Sequence, residues 1–142
     1  MEMLKRLSIL SLLLGLTLNV QAFDKKTVDL DKEFWGTWTL YNPKTKCTET
    51  FDFNKPGNFT YQINKKQLTG EFAVVRSTTT AGLDVLLMDI ATDNQKEGCA
   101  SDNKDYTNAK IQLALKWQST KAAEICTDTE AKNCTGLFLT KK

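Results

Sequence analysis

The stretch Ala109-Lys110-Ile111-Gln112-Leu113-Ala114-Leu115-Lys116-Trp117 decides how this chain folds. Its odd-numbered positions are apolar throughout and its even-numbered ones polar or small. A period of two is the mark of a β-strand with one buried face. The same rhythm recurs in Phe51 and Phe53, in Phe59, Tyr61 and Ile63, and in Leu68, Gly70, Phe72 and Val74.

Between these runs the breaks are short and carry turn residues. Asn42-Pro43-Lys44-Thr45 suits a type I turn, because proline presets φ at the second position and asparagine can cap the first. Asn54-Lys55-Pro56-Gly57-Asn58 suits another reversal, and further turns are expected near Lys65-Lys66, Thr80-Ala81-Gly82, 118–121 and 128–133. Eight strands follow, near 35–41, 46–53, 59–64, 67–76, 83–90, 106–117, 121–127 and 134–140. Short connections between sequential strands favour an antiparallel up-and-down meander, since parallel pairs need long crossovers. Eight such strands can close into a barrel that encloses side chains or one small ligand. The expected fold is therefore an all-β, eight-stranded antiparallel up-and-down β-barrel. One connection, 91–105, is too long for a plain hairpin; Cys99 near its centre marks it as clamped. Residues 23–33 read as a charged lead-in with a short helical turn before Phe34.

Residues 1–22 have the layout of a secretory signal peptide: Lys5 and Arg6, an apolar run from Leu7 to Leu18, then Val20-Gln21-Ala22 at the cut. A retained anchor needs roughly 20 apolar residues, and this run is shorter and interrupted by Ser8, Ser11, Gly15 and Thr17. Cleavage after Ala22 leaves a single domain, 23–142, expected to be secreted or periplasmic, monomeric and without a membrane span. Losing Lys5, Arg6 and Glu2 takes the net charge from +2 to +1. The remaining lysines are interspersed with acids, so no basic face points to nucleic acid.

Cys47, Cys99, Cys126 and Cys134 form an even set in a short exported chain, which reads as two disulfides with three possible pairings. The favoured pairing joins Cys126 to Cys134 across a hairpin and Cys47 to Cys99 in the long connection. On the loop-entropy account these rings contribute roughly 2.5 and roughly 4 kcal/mol. There is no CxxC pair and no histidine, so neither a metal site nor a cofactor is expected.

Phe34-Trp35-Gly36-Thr37-Trp38 contains the Gly-x-Trp pattern that opens the first strand of lipocalins. The stretch from Thr50 to Thr60 resembles the second hairpin of bacterial lipocalin-like domains, and Thr69-Gly70-Glu71-Phe72-Ala73-Val74 is similar to the strand that follows. The chain thus resembles a calycin-type, bacterial lipocalin-like secreted barrel, which implies that Trp38 plugs one end. The second half departs from that pattern: Lys104 precedes Asp105-Tyr106 where threonine is expected, and no arginine near the C-terminus covers Trp38. Only Lys116, Lys121, Lys141 or Lys142 could do so. Gly36-Thr37-Trp38-Thr39-Leu40 followed by Cys47 is also similar to the opening of small periplasmic barrel inhibitors of bacterial metalloproteinases, with 23–33 as the inhibitory arm.

Without histidine no Ser-His-Asp or Cys-His arrangement exists, and paired cysteines offer no thiolate. Glu49 and Glu71 fall on opposite faces by parity relative to their apolar neighbours, so no carboxylate pair is expected. The expectation is a non-enzymatic binding protein holding a small apolar or amphipathic ligand or acting as a recognition module; the alternative is an inhibitor of a protease or other enzyme. Candidate ligand-lining residues are Glu49, Phe51, Tyr61, Phe72, Arg76, Ile111 and Leu113. Glu49 and Arg76 extend apolar faces and could pair with each other. Trp35, on the other side of the first strand from Trp38, is a candidate outward contact for a protein partner.

Overall fold

The computed structural model describes residues 23–142, so the signal peptide expected at 1–22 lies outside the described residues. A 3₁₀ turn (Lys25–Thr27) and a single helical turn α1 (Leu30–Glu33) precede the strands β1 (Gly36–Asn42), β2 (Cys47–Asn54), β3 (Asn58–Ile63), β4 (Lys66–Val75), β5 (Asp84–Asp93), β6 (Lys110–Ser119), β7 (Ala122–Cys126) and β8 (Cys134–Lys141). Each strand pairs antiparallel with the next, and β8 returns to β1, giving a closed eight-stranded up-and-down barrel. This architecture is consistent with a calycin-type fold. Among the described residues no helix is long and apolar enough to cross a membrane.

Local chemistry places the turns. The Asn42 side chain accepts from the Lys44 amide at 3.0 Å while its carbonyl accepts from the Lys46 amide at 2.7 Å, a bond one residue wider than that of the type I turn expected there. Asp29 caps α1 by accepting from the Asp31 amide at 3.0 Å. A register shift in β4 falls at Thr69/Gly70, where a Cβ on Gly70 would sit 2.0 Å from the Asp89 carbonyl oxygen. Only glycine admits that approach between strands.

Two boundaries differ by three residues or more from those read off the alternation. β5 continues to Asp93, and β6 begins at Lys110 rather than near 106, so the long connection is 94–109. The Tyr106 amide donates to the Asp93 carboxylate at 2.8 Å, and the Ala109 amide to the Tyr106 carbonyl at 2.9 Å. Those bonds hold Tyr106 to Ala109 in a turn, although the apolar parity of Ala109 continues that of β6. Cys47–Cys99 ties this connection to the start of β2, and Cys126–Cys134 bridges directly opposed residues of β7 and β8.

Inward-facing side chains fill the two halves of the barrel differently. One end is packed with rings: Trp38, fully buried, stacks on Phe34 at 5.4 Å and meets Trp117 edge-on at 6.1 Å. The Trp38 Nε1–H donates to the Phe34 carbonyl at 2.8 Å. Lys141 lies 5.9 Å from the Trp38 ring centroid and donates to the Glu33 carbonyl at 2.6 Å. Of the lysines that could cover the tryptophan, Lys141 does, because β8 pairs with β1 in the register Trp38 to Lys141.

The lead-in is drawn across this closed end. Val28 is buried, and the Arg76 guanidinium donates to the carbonyls of Lys25, at 2.5 Å, and Val28. Lys25 in turn donates to the carbonyls of Thr79 and Gly82, at 2.6 and 2.5 Å. Asp84, fully buried, accepts from the Trp117 indole at 3.0 Å and lies 3.4 Å from Arg76. A buried carboxylate needs such partners, since burying it alone would cost several kcal/mol, on the order of 5.

Candidate functional site

The other half of the barrel is hollow. Its cavity measures about 390 Å³. Aliphatic walls come from inward positions such as Leu40, Ile63, Met88, Ile111, Leu113 and Ile125, and aromatic ones from Phe51 and Phe59. The roof is the β5–β6 connection, from which Gly98, Cys99, Asp102 and Tyr106 reach the cavity. The Cys47–Cys99 bridge therefore holds the roof onto the wall.

Polar groups gather beneath that roof. The Tyr61 hydroxyl donates to Glu49 Oε1 at 2.6 Å, and the Tyr106 hydroxyl donates to Asp102 Oδ2 at 2.5 Å. Burial raises the Glu49 carboxyl above its ordinary value, and the bond from Tyr61 only partly offsets this. Burial, followed by the neighbouring Glu49 charge, pushes the Tyr61 phenol far up. Tyr106 is pushed up to about 12, first by its hydrogen bond to Asp102 and then by burial. The same bond, with the Lys104 amide, holds Asp102 below the usual carboxylate range.

Lys66 is the cationic side chain on the wall, and it is 2% exposed. Its Nζ donates to both oxygens of Asp93 at 3.0 Å and to the Lys104 carbonyl at 3.0 Å. An ammonium has three protons to donate, so it is saturated. Desolvation works to raise Asp93, but the amides of Tyr106 and Gln95 together with Lys66 bring it below its ordinary value.

Of the residues singled out from sequence, Glu49, Phe51, Tyr61, Ile111 and Leu113 share this cavity. Phe72 and Arg76 lie at the closed end instead. The Phe72 ring sits 4.7 Å from Phe53 and 5.8 Å from Phe34, within the aromatic packing. Arg76 follows β4, anchors the lead-in and faces Asp84, so it does not pair with Glu49. Trp35 is half-buried rather than outward. It donates to the Asp31 carbonyl at 2.6 Å, meets Phe72 edge-on at 5.5 Å and carries Lys55 over its ring at 5.7 Å. Strand alternation does not govern Trp35, because β1 starts after it, at Gly36.

Sequence reasoning missed Lys66, Asp93, Asp102 and Tyr106. Lys66 shares parity with Leu68, Gly70 and Phe72, so starting that strand one residue earlier would have turned the lysine inward. Nothing local marks Asp102 or Tyr106, which reach the cavity through the path of the long connection. Comparison with protein-family models, curated proteins and solved structures finds no match to this chain.

Proposed function

We propose that this is an exported, non-enzymatic, lipocalin-like binding protein that holds one small apolar or amphipathic molecule in the hollow half of its barrel. The cavity carries the reading. Ligand sites span about 300 to 1,000 Å³ and are mostly apolar with a few placed polar groups, and this one has about 390 Å³ with its polar groups gathered under the roof. At about 30 Å³ per water-sized group it admits about a dozen non-hydrogen atoms. A chain with no histidine and both cysteine pairs bridged fits binding better than catalysis.

The alternative, a barrel inhibitor acting through its N-terminal arm, draws less support. The arm from Asp24 to Glu33 is held to the barrel by Arg76, Lys25 and the buried Val28. A segment fastened in this way is poorly placed to enter an enzyme cleft.

The test is a series of linear primary alcohols of increasing length, titrated into the 23–142 protein and read by native mass spectrometry and calorimetry. Each buried methylene contributes about 0.8 kcal/mol, so affinity should rise about fourfold per carbon and level off once the cavity is full. Absence of any one-to-one complex across the series would overturn the reading.

A further inference from the structure

We propose that the cavity selects ligands whose head is a hydrogen-bond donor or a cation, an alkylammonium above all, and rejects carboxylate heads. This rests on the cavity being a ligand site, and it follows from a donor inventory of the lining side chains. Three of them carry donors: Tyr61, Lys66 and Tyr106. The Tyr61 hydroxyl proton goes to Glu49 and the Tyr106 proton to Asp102. All three Lys66 protons go to Asp93 and the Lys104 carbonyl. What these groups leave facing a ligand is acceptors: carboxylate oxygens and phenolic lone pairs.

Charge points the same way. Lys66 is neutralised by Asp93 at 3.0 Å, and among the described residues no cationic side chain is bonded to Glu49 or Asp102, although Lys104, 5.4 Å from the Tyr106 ring centroid, and Lys66 lend Asp102 charge at longer range. A carboxylate head would meet like charge and no free side-chain donor, and beside the desolvated Glu49 both are expensive. An ammonium head would meet two carboxylates and could make charge-assisted hydrogen bonds. The raised Glu49 carboxyl is consistent with a buried anion lacking its counter-ion; a bound ammonium would favour ionisation. The titratable and charged groups around it are Tyr61 on β3, Lys66 on β4, Asp93 behind Lys66 on β5, and Asp102, Lys104 and Tyr106 on the connection.

The experiment holds the tail constant and varies the head: decylamine, decan-1-ol and decanoate, each titrated calorimetrically at pH 7.5 below its micellar concentration. Decylamine should bind at least about tenfold more tightly than decanoate, with the alcohol between them. In Glu49→Gln, checked for folding by its melting curve, the amine-to-alcohol affinity ratio should fall at least about fivefold. If all three heads bind alike, or decanoate binds best, the head-group selectivity is overturned while the cavity reading stands. If none binds, both fall. Should Glu49→Gln fail to fold, the three heads on the unmodified chain decide alone.

Discussion

Removing the Asp93 charge tests the polar roof most directly. Asp93 Oδ1 accepts from Lys66 at 3.0 Å and from the Gln95 amide at 2.7 Å, and Oδ2 accepts from Lys66 at 3.0 Å and the Tyr106 amide at 2.8 Å. Asp93→Asn keeps the shape but supplies one acceptor oxygen instead of two, and it leaves a 2%-exposed ammonium without its counter-charge. Breaking one side of a buried pair costs about 3 to 5 kcal/mol. With a urea slope of about 2 kcal/mol/M, the unfolding midpoint should drop by about 2 M. Lys66→Met removes the ammonium instead and leaves the carboxylate its two amide donors, so its cost should be smaller, about 1 to 3 kcal/mol. The double variant should cost less than the sum of the singles by at least about 1.5 kcal/mol. The assay is urea unfolding followed by tryptophan fluorescence at pH 7. Because Asp93 titrates below its ordinary value when folded, its stabilisation is present above the unfolded pKa and is lost as pH falls through the folded one. The advantage of the wild type over Asp93→Asn should therefore shrink in acid. An Asp93→Asn midpoint within about 0.5 M of wild type at pH 7, or an additive double-mutant cycle, would refute this account.

Three further outcomes are expected. Trp38→Ala should destabilise by about 3 to 5 kcal/mol, since a fully buried ring at the centre of the aromatic packing is lost; an unchanged melting curve would contradict that placement. Glu49→Gln should stabilise the protein at pH 7 to 8 and bring no gain near pH 3.5. Its folded pKa lies above the unfolded value, so the wild type loses stability as pH rises between the two, a loss the amide does not share; thermal melts across that pH range check it. Alkylation under denaturing, non-reducing conditions should label no cysteine, and replacing Cys47 and Cys99 together by alanine should cost about 4 kcal/mol against about 2.5 for Cys126 and Cys134; a reversed order would count against the loop-closure account.

The strand order, the inward face of the strands that alternate clearly and the even cysteine set were legible in the chain because they follow from local patterns and short connections. Alternation from Ala109 to Trp117 says which side chains face inward. The length of the connection sets it apart from a plain hairpin, and Cys99 near its centre says that it is clamped. Glu49, Tyr61, Ile111 and Leu113 were placed on inward faces for this reason, and they do meet around one cavity.

Height along the barrel is a different matter. Parity assigns Phe72 and Leu68 to one face, yet Leu68 lines the hollow half and Phe72 joins the rings of the closed end. Which half an inward residue enters depends on strand tilt and stagger, set by the pairing of all eight strands together. The bond from Tyr106 to Asp102, the saturation of Lys66 by Asp93 and Lys104, and the seating of Arg76 against the lead-in join residues from separate elements. The chain alone thus determined an antiparallel barrel with a known inner face. Only the closed tertiary structure decided that one end would be filled with rings and the other left hollow, because a void is the difference between enclosed volume and the side chains that reach it.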